Sequence, residues 1–277
     1  MSTATISATR VEPAIEPAVA RGRLGHVLVF VVLSVGLAAV ATLGGVPTAL
    51  VPFVLALVPT AFALTLAWRE GRGEVRRLLA MAVTRPNRRG WYVVIALPIV
   101  WSLAVVGTAV ALGEPGAGVF DRVFPAILII PIVVLIPAFA EELAWRGYAV
   151  TRLLPSTSPL AAALLLGIPW AVIHLFLQLP GQMNAGLDWW PTIVSLIGYS
   201  VILTWAFVGS GGSILLVALI HAGLNGVAPV MGGVDIDRAW AIRAVLVAAI
   251  AVGIVVLGGF RGLAARSLET HARALRP

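Results

Sequence analysis

The sequence contains no cysteine and no lysine, and only 11% of its 277 residues are charged. The lack of cysteine excludes disulfides, thiol catalysis and cysteine-based metal sites. Because lysine is absent, all nineteen basic residues are arginines, and they outnumber the twelve acids to give a net charge of +7. Soluble domains carry about 25% charged residues, so this shortage of charge argues against a soluble protein.

Apolar residues take the place of the missing charges. They make up 60% of the chain, with a mean hydropathy of +1.02, and many form runs of about 20 residues, the length that spans a bilayer as a helix. The sequence predicts an all-α, polytopic membrane bundle of about eight transmembrane helices in a single domain over 24–260. Residues 1–23 are expected to be a disordered tail and 261–277 a basic tail. The predicted spans are about 24–43, 48–68, 91–112, 122–154, 159–179, 192–208, 213–230 and 239–260.

The distribution of arginine predicts how the chain is oriented. Residues 69–90 hold seven arginines, and both tails are basic, whereas the loop at 113–121 holds Glu114 and Asp121. Arginine-rich segments stay in the cytoplasm and contact anionic lipid of the inner leaflet. We therefore expect a multi-pass protein of the cell membrane with both termini cytoplasmic. The composition resembles that of a bacterial inner-membrane protein, and no basic patch indicates a nucleic-acid partner.

The arginine-rich segment also has an apolar pattern. Val75, Leu78, Leu79 and Ala82 fall at helical spacing and predict a short amphipathic helix on the inner leaflet. His26, at the membrane edge, is expected to be solvated.

Six of the polar residues inside predicted spans are candidates for a site, because a charge there costs roughly 2.5 to 3.5 kcal/mol on insertion scales. They are Glu141, Glu142, Arg146, His174, His221 and Asn225. One interpretation is structural: the glutamates mark the watery end of a helix, with Arg146 as an i,i+4 partner of Glu142, and His174 is a hydrogen-bonded core residue. The other is a shared site. Glu141 and His174 lie at similar distances from the turn at 155–157, so an antiparallel hairpin brings them to a similar depth.

The order and spacing of these residues resemble a known family. Glu141-Glu142-x-x-x-Arg146, then Trp170-x-x-x-His174, then His221-x-x-x-Asn225 are similar to the motifs of the CPBP intramembrane proteases, which include type II CAAX prenyl endopeptidases and bacteriocin-processing or immunity (Abi-like) relatives. The resemblance covers about residues 124–226. One position differs, since the family pattern has Phe where this chain has Trp170. The resemblance implies an endopeptidase acting on a membrane-embedded or lipidated peptide.

The resemblance also implies roles that suit amide hydrolysis. Glu141, beside the imidazole of His174, would take a proton from water, and assigning this role to Glu141 rather than Glu142 rests on the resemblance alone. His221 and Asn225, on one helix face, would stabilise the oxyanion. Arg146 would pair with Glu142.

A metal is a second mechanistic alternative. Members of the family are often called metalloproteases, and Glu141, His174 and His221 are residue types that bind Zn²⁺. The chain has no His-Glu-x-x-His motif. Metal-free and zinc-assisted catalysis both stay open from the sequence.

Two functions from other classes also stay open. Intramembrane Glu, His and Arg side chains can form the proton path of a transporter, although the two halves of the sequence show no repeat of the kind expected there. A non-proteolytic membrane scaffold or immunity protein could retain the same pocket and act by binding.

Overall fold

The computed structural model describes residues 17–115, 134–225 and 234–259. Across these ranges the chain is helical and contains no strand, which confirms the predicted fold class, a polytopic helical membrane bundle. A 3₁₀ stretch, Arg89–Ala96, leads into the fourth helix. The helices are α1 Pro17–Leu43, α2 Val51–Glu70, α3 Arg72–Ala82, α4 Leu97–Ala111, α5 134–153, α6 Pro159–Leu175, α7 Trp189–Gly209, α8 Ile214–Asn225 and α9 Ile236–Val256.

Five of these helices are long and apolar enough to cross a membrane: α1, α2, α6, α7 and α9. α4 and the 3₁₀ stretch before it give a sixth span if the bend of 46° between them is counted within one crossing. α8 is apolar but shorter, with 12 residues. Parts of the fourth and seventh predicted spans fall at 116–133 and 226–233, outside the described residues. The count of eight therefore stays a prediction.

The first boundary differs from the sequence prediction. α1 begins at Pro17, so residues 17–23 are helical rather than disordered. Proline is well tolerated at the start of a helix, and the alanines and arginines that follow favour helix, so the helix extends beyond the apolar run. Residues 1–16 and the predicted tail 261–277 lie outside the described residues.

The amphipathic segment forms α3, as predicted, but its buried face is different. Glu74, Leu78 and Met81 are buried, whereas Leu79 is exposed. The reason is that Glu74 lies among arginines: it accepts hydrogen bonds from Arg23 and from its own-helix neighbour Arg77. The helix is therefore oriented by an acid as well as by its apolar residues.

The connecting loops lie in two groups, one at each end of the bundle, and this grouping agrees with the one that the arginine distribution predicts. At one end, Thr48 Oγ1 donates to the carbonyl of Gly181 at 2.9 Å, and Arg238 forms an ion pair with Glu114. At the other end, Asn87 N donates to the carbonyl of Ser210 at 3.0 Å. Loops predicted for one side of the membrane thus lie together, while which side is cytoplasmic stays a prediction.

The packing of α6 against α7 positions two of the candidate residues. A Cβ at Gly167 would lie 2.9 Å from Ser200 Cβ, so only glycine permits this close approach. Ser200 Oγ also donates to the carbonyl of Ala163 at 2.7 Å. Trp170 and His174 follow on α6 and contact side chains of α5 and α8, as described below.

Candidate active site

α5 changes its winding directly after the two glutamates. Leu143–Val150 forms a π-helical segment, and all eight of its residues are buried. π-Helical turns are rare and occur frequently at functional sites. The segment packs tightly against α3, because a Cβ at Gly147 would lie 2.8 Å from Leu78 Cδ1.

Glu142, Arg146 and His221 form a buried polar triad. Glu142 Oε1 accepts from Arg146 Nη1 and from His221 Nδ1, each at 2.9 Å, and all three side chains are buried. The predicted pairing of Glu142 with Arg146 is therefore confirmed. Because an ionised carboxylate only accepts hydrogen bonds, Nδ1 of His221 carries a proton. The hydrogen bond between Glu142 and His221 connects α5 to α8.

Trp170 stands at the centre of the other candidate side chains. Its Nε1–H donates to Glu141 Oε2 at 3.0 Å, and the Arg146 guanidinium lies 4.6 Å from its ring centroid. The rings of His174 and His221 meet it edge to face, with centroid distances of 5.6 and 5.4 Å. The sequence analysis did not predict the hydrogen bond to Glu141, although a tryptophan in place of phenylalanine adds an N–H donor.

The tautomer of His174 follows from its partner. Its Nδ1 lies 2.9 Å from the carbonyl oxygen of Trp170. Since a carbonyl only accepts, Nδ1 carries the proton, and Nε2 of the neutral ring is an acceptor.

Two cavities meet at these residues. The larger, about 260 Å³, is lined by Glu141, Trp170, His174 and Asn225 together with mainly apolar side chains. The smaller, about 90 Å³, is lined by His174, His221 and Asn225. Glu142 and Arg146 line neither cavity and lie buried behind Trp170. The structure thus brings all six sequence-predicted residues together, in two layers.

Several polar atoms of this site have no partner. Glu142 Oε2 and Arg146 Nη2 are buried without a hydrogen bond, and the side chain of Asn225 makes none to any residue the structure describes. Buried polar atoms are normally paired. A site that contains water and a peptide would supply the missing partners.

The candidate metal ligands do not form a metal site. Within the described ranges, no three His, Asp or Glu side chains are grouped closely enough to hold a metal ion. Glu141, His174 and His221 are therefore not grouped around one point in the described structure. This arrangement does not supply the tetrahedral ligand set of zinc, and no step below involves a metal.

Comparison with known proteins identifies the central segment. Residues 123–227 match the family model described as Rce1-like, type II CAAX prenyl endopeptidase. These matched residues, called the CPBP segment below, are therefore similar to the CPBP family. The CPBP segment contains all six predicted site residues and begins and ends within one residue of the predicted core.

A curated relative of the CPBP segment is "CAAX prenyl protease 2" of Methanococcus maripaludis. It is 29% identical over 142 residues, which are 48% of this chain and 50% of the relative. The chain thus spans about half the length of this relative.

Two residues near the site lie outside the CPBP segment and were not singled out from the sequence. Arg243 and Trp240, on α9, line the smaller cavity beside His174 and His221. Arg243 is buried. Its position within the last apolar run is a usable signal, because a charged residue inside a span usually has a function.

Proposed function

We propose that the protein is an intramembrane endopeptidase that hydrolyses a peptide bond of a membrane-embedded or lipidated peptide by glutamate-activated water. The observation that carries this proposal is the shared cavity of Glu141, His174 and Asn225, inside an apolar bundle. An acid, an imidazole and an amide around one hollow are the groups that amide hydrolysis requires.

Glu141 is the proposed general base. It lines the cavity, whereas Glu142 is buried in contact with Arg146 and His221. The carboxylate of Glu141 takes a proton from water while the water oxygen bonds to the scissile carbonyl carbon. The same proton is then transferred to the departing nitrogen as the C–N bond breaks, which leaves a carboxylic acid and an amine and restores the Glu141 carboxylate.

Asn225 supplies the donor for the oxyanion. Its side-chain amide lines both cavities and has no hydrogen-bond partner among the described residues, and a fixed amide N–H is the kind of group that stabilises the tetrahedral intermediate. His221 adds a second donor only when doubly protonated, because its Nδ1–H is already donated to Glu142. His174 presents Nε2 as an acceptor that can orient the water.

Glu142 and Arg146 act as positioning residues in this scheme. The carboxylate holds His221, and the guanidinium lies over Trp170, whose indole holds Glu141. The positions of Glu141 and His221 therefore depend on the ion pair between Glu142 and Arg146.

The larger cavity fits an apolar substrate. Apart from Glu141, His174 and Asn225, its walls include Phe53 and Leu55 of α2. A lipidated or membrane-inserted peptide supplies matching apolar surface, and burial of such surface contributes roughly 25 cal/mol per Å². The name of the matched family, type II CAAX prenyl endopeptidase, points to the same substrate class.

The test is cleavage by the purified full chain in detergent. The probe is a fluorescence-quenched peptide in which the fourth residue from the C-terminus is an S-farnesyl cysteine. We expect product from the wild type, a loss of about 1,000-fold in Glu141→Gln, and wild-type activity in the matched control Glu114→Gln, which alters an ion pair with Arg238.

Two outcomes would overturn the proposal. Peptide that binds but is not cut by the wild type would favour a scaffold, and proton-coupled uptake into vesicles without cleavage would favour a transporter. Cleavage that survives Glu141→Gln would exclude Glu141 as the base.

A further inference from the structure

Arg243 is a buried cation without an acidic partner. It lies seven residues into α9, is 6% exposed, and makes neither a hydrogen bond nor an ion pair with any described residue. Its contacts are with aromatic rings: the guanidinium lies 4.0 Å from the centroid of Trp240 and 6.0 Å from that of Tyr199. A buried charge without a counter-ion is strongly unfavourable, so the surroundings of Arg243 favour the binding of an anion.

A second unpaired donor lines the same cavity. Nε of Arg243 and Nε1 of Trp240 are both buried and have no partner among the described residues, and both residues line the smaller cavity. The Tyr199 hydroxyl is already used, since it donates to the carbonyl of Leu224 at 3.2 Å. The cavity therefore offers free donors.

The described wall of the smaller cavity offers these donors no carboxylate. Its ionisable groups are His174, His221, Tyr199 and Arg243, and it has no acidic residue among those described. Thr192 Oγ1, also in the wall, accepts from Gln178 Nε2 at 2.7 Å. The charge of the cavity is thus unfavourable for a cation and favourable for an anion.

We propose that the smaller cavity is a subsite in which Arg243 and Trp240 bind the C-terminal carboxylate of the peptide substrate. This inference rests on the proposed function. A carboxylate is planar and accepts two parallel hydrogen bonds from a guanidinium, a strong and specific arrangement.

The location of the cavity supports a carboxylate on the substrate rather than a free anion. His174 and Asn225 line both cavities, so a peptide whose scissile bond lies at these residues can extend from the larger cavity into the smaller one. The volume of the smaller cavity is about 90 Å³, against 260 Å³ for the larger one. A cavity of this size has room for the end of a peptide but little room for a peptide that continues beyond it.

The test compares two forms of the farnesylated probe peptide, one ending in a free carboxylate and one in a carboxamide. The wild type is expected to cleave the acid with a kcat/KM about 10- to 100-fold higher, chiefly through a lower KM, because a hydrogen bond to a charged group is lost in the amide. In Arg243→Gln this preference should fall to about one. Glu114→Gln, outside both cavities, should keep it.

Two milder variants cover the case in which Arg243→Gln does not fold. Arg243→Lys retains the charge but not the planar pair of donors, and Trp240→Phe removes only the indole N–H from the ring. Each should reduce the preference for the acid by a few-fold. A preference that is absent in the wild type, or unchanged in the folded variants, would overturn the subsite.

Binding separates a failure of this subsite from a failure of the proposed function. If the wild type cleaves neither peptide, the protease proposal fails, and the fluorescence anisotropy of the two uncleaved peptides is measured. Tighter binding of the acid, lost in Arg243→Gln, would still support the subsite. Equal binding of acid and amide would overturn it.

Discussion

Two buried clusters of charge lie among the residues that the structure describes, and they differ in how completely they are paired. At one end of the bundle, Glu70 accepts from Arg152 Nε and Nη2 at 3.0 and 2.8 Å, from the Tyr148 hydroxyl at 3.0 Å, and contacts His26 Nδ1 at 3.1 Å. His26, expected to be solvated, is thus part of this end cluster, because Glu70 from the next helix reaches it. Glu74 completes the cluster through Arg23, Arg77 and Arg152.

The site around Glu142 is paired less completely. Glu142 Oε2, Arg146 Nη2, Trp240 Nε1 and Arg243 Nε are all buried and without partners. In the end cluster Arg77 Nε alone is in this state among the described atoms. A saturated network rigidifies a fold, whereas unpaired buried groups cost stability and persist where a ligand uses them. The difference in pairing indicates a structural role for the end cluster and agrees with the catalytic role proposed for the site around Glu142.

The same substitution in each cluster gives the largest expected contrast. Glu142→Gln removes the charge that holds Arg146 and His221, and we expect activity on the farnesylated probe to fall by more than about 100-fold. Glu70→Gln should instead lower the free energy of unfolding by about 3 to 5 kcal/mol, with kcat/KM unchanged while the protein is folded. Peptide cleavage and denaturant unfolding in detergent measure the two effects. Equal loss of activity in both variants would contradict the separation.

Asn225→Ala tests the unpaired amide. If Asn225 stabilises the oxyanion, kcat should fall by about 100-fold with little change in KM, because the contact forms in the transition state. Asn87→Ala is the matched control, since Asn87 Nδ2 donates to the Gly209 carbonyl at the other end of the bundle. A rise in KM alone would assign Asn225 to substrate binding.

Trp170→Phe tests the hydrogen bond that holds Glu141. The ring and its contacts with the histidines are largely kept while the donor is lost, so we expect kcat to fall by about 10-fold. Trp145→Phe is the control, because Trp145 lines the same cavity and makes no hydrogen bond to Glu141 in the described structure. A similar loss in both variants would indicate a packing effect.

The smallest effect concerns orientation and should leave activity unchanged. The chain has no cysteine, so Ala185→Cys and Val83→Cys each introduce a single exposed thiol, one at each end of the bundle. With cytoplasmic termini, a membrane-impermeant maleimide should label position 185 in intact cells and position 83 only after lysis. The reverse pattern would place the end cluster outside.

Local spacing was sufficient to predict much of this site. Glu142 and Arg146 are four residues apart, and side chains at this spacing are neighbours on a helix. Their contact can therefore be predicted without knowing the rest of the fold. The grouping of polar side chains in a few apolar runs likewise made Glu141, His174 and Asn225 candidates, because polar and charged side chains inside a membrane are costly and are usually paired or functional.

The remaining features depend on contacts between helices that no spacing contains. The bond from His221 to Glu142 joins residues 79 positions apart, and the indole of Trp170 reaches Glu141 only because α5 and α6 pack face to face. The π-helical winding of Leu143–Val150 has no sequence signature of its own. Arg243 was missed although it lies inside an apolar run, and its lack of an acidic partner among the described residues is visible only in the fold.

The most direct test of the central claim is a single turnover of the farnesylated probe in H₂¹⁸O, with mass spectrometry of the products and of the protein. If Glu141 activates water, the new carboxylate should contain one ¹⁸O and the Glu141 side chain none. ¹⁸O in Glu141, or a new carboxylate without ¹⁸O, would contradict the account.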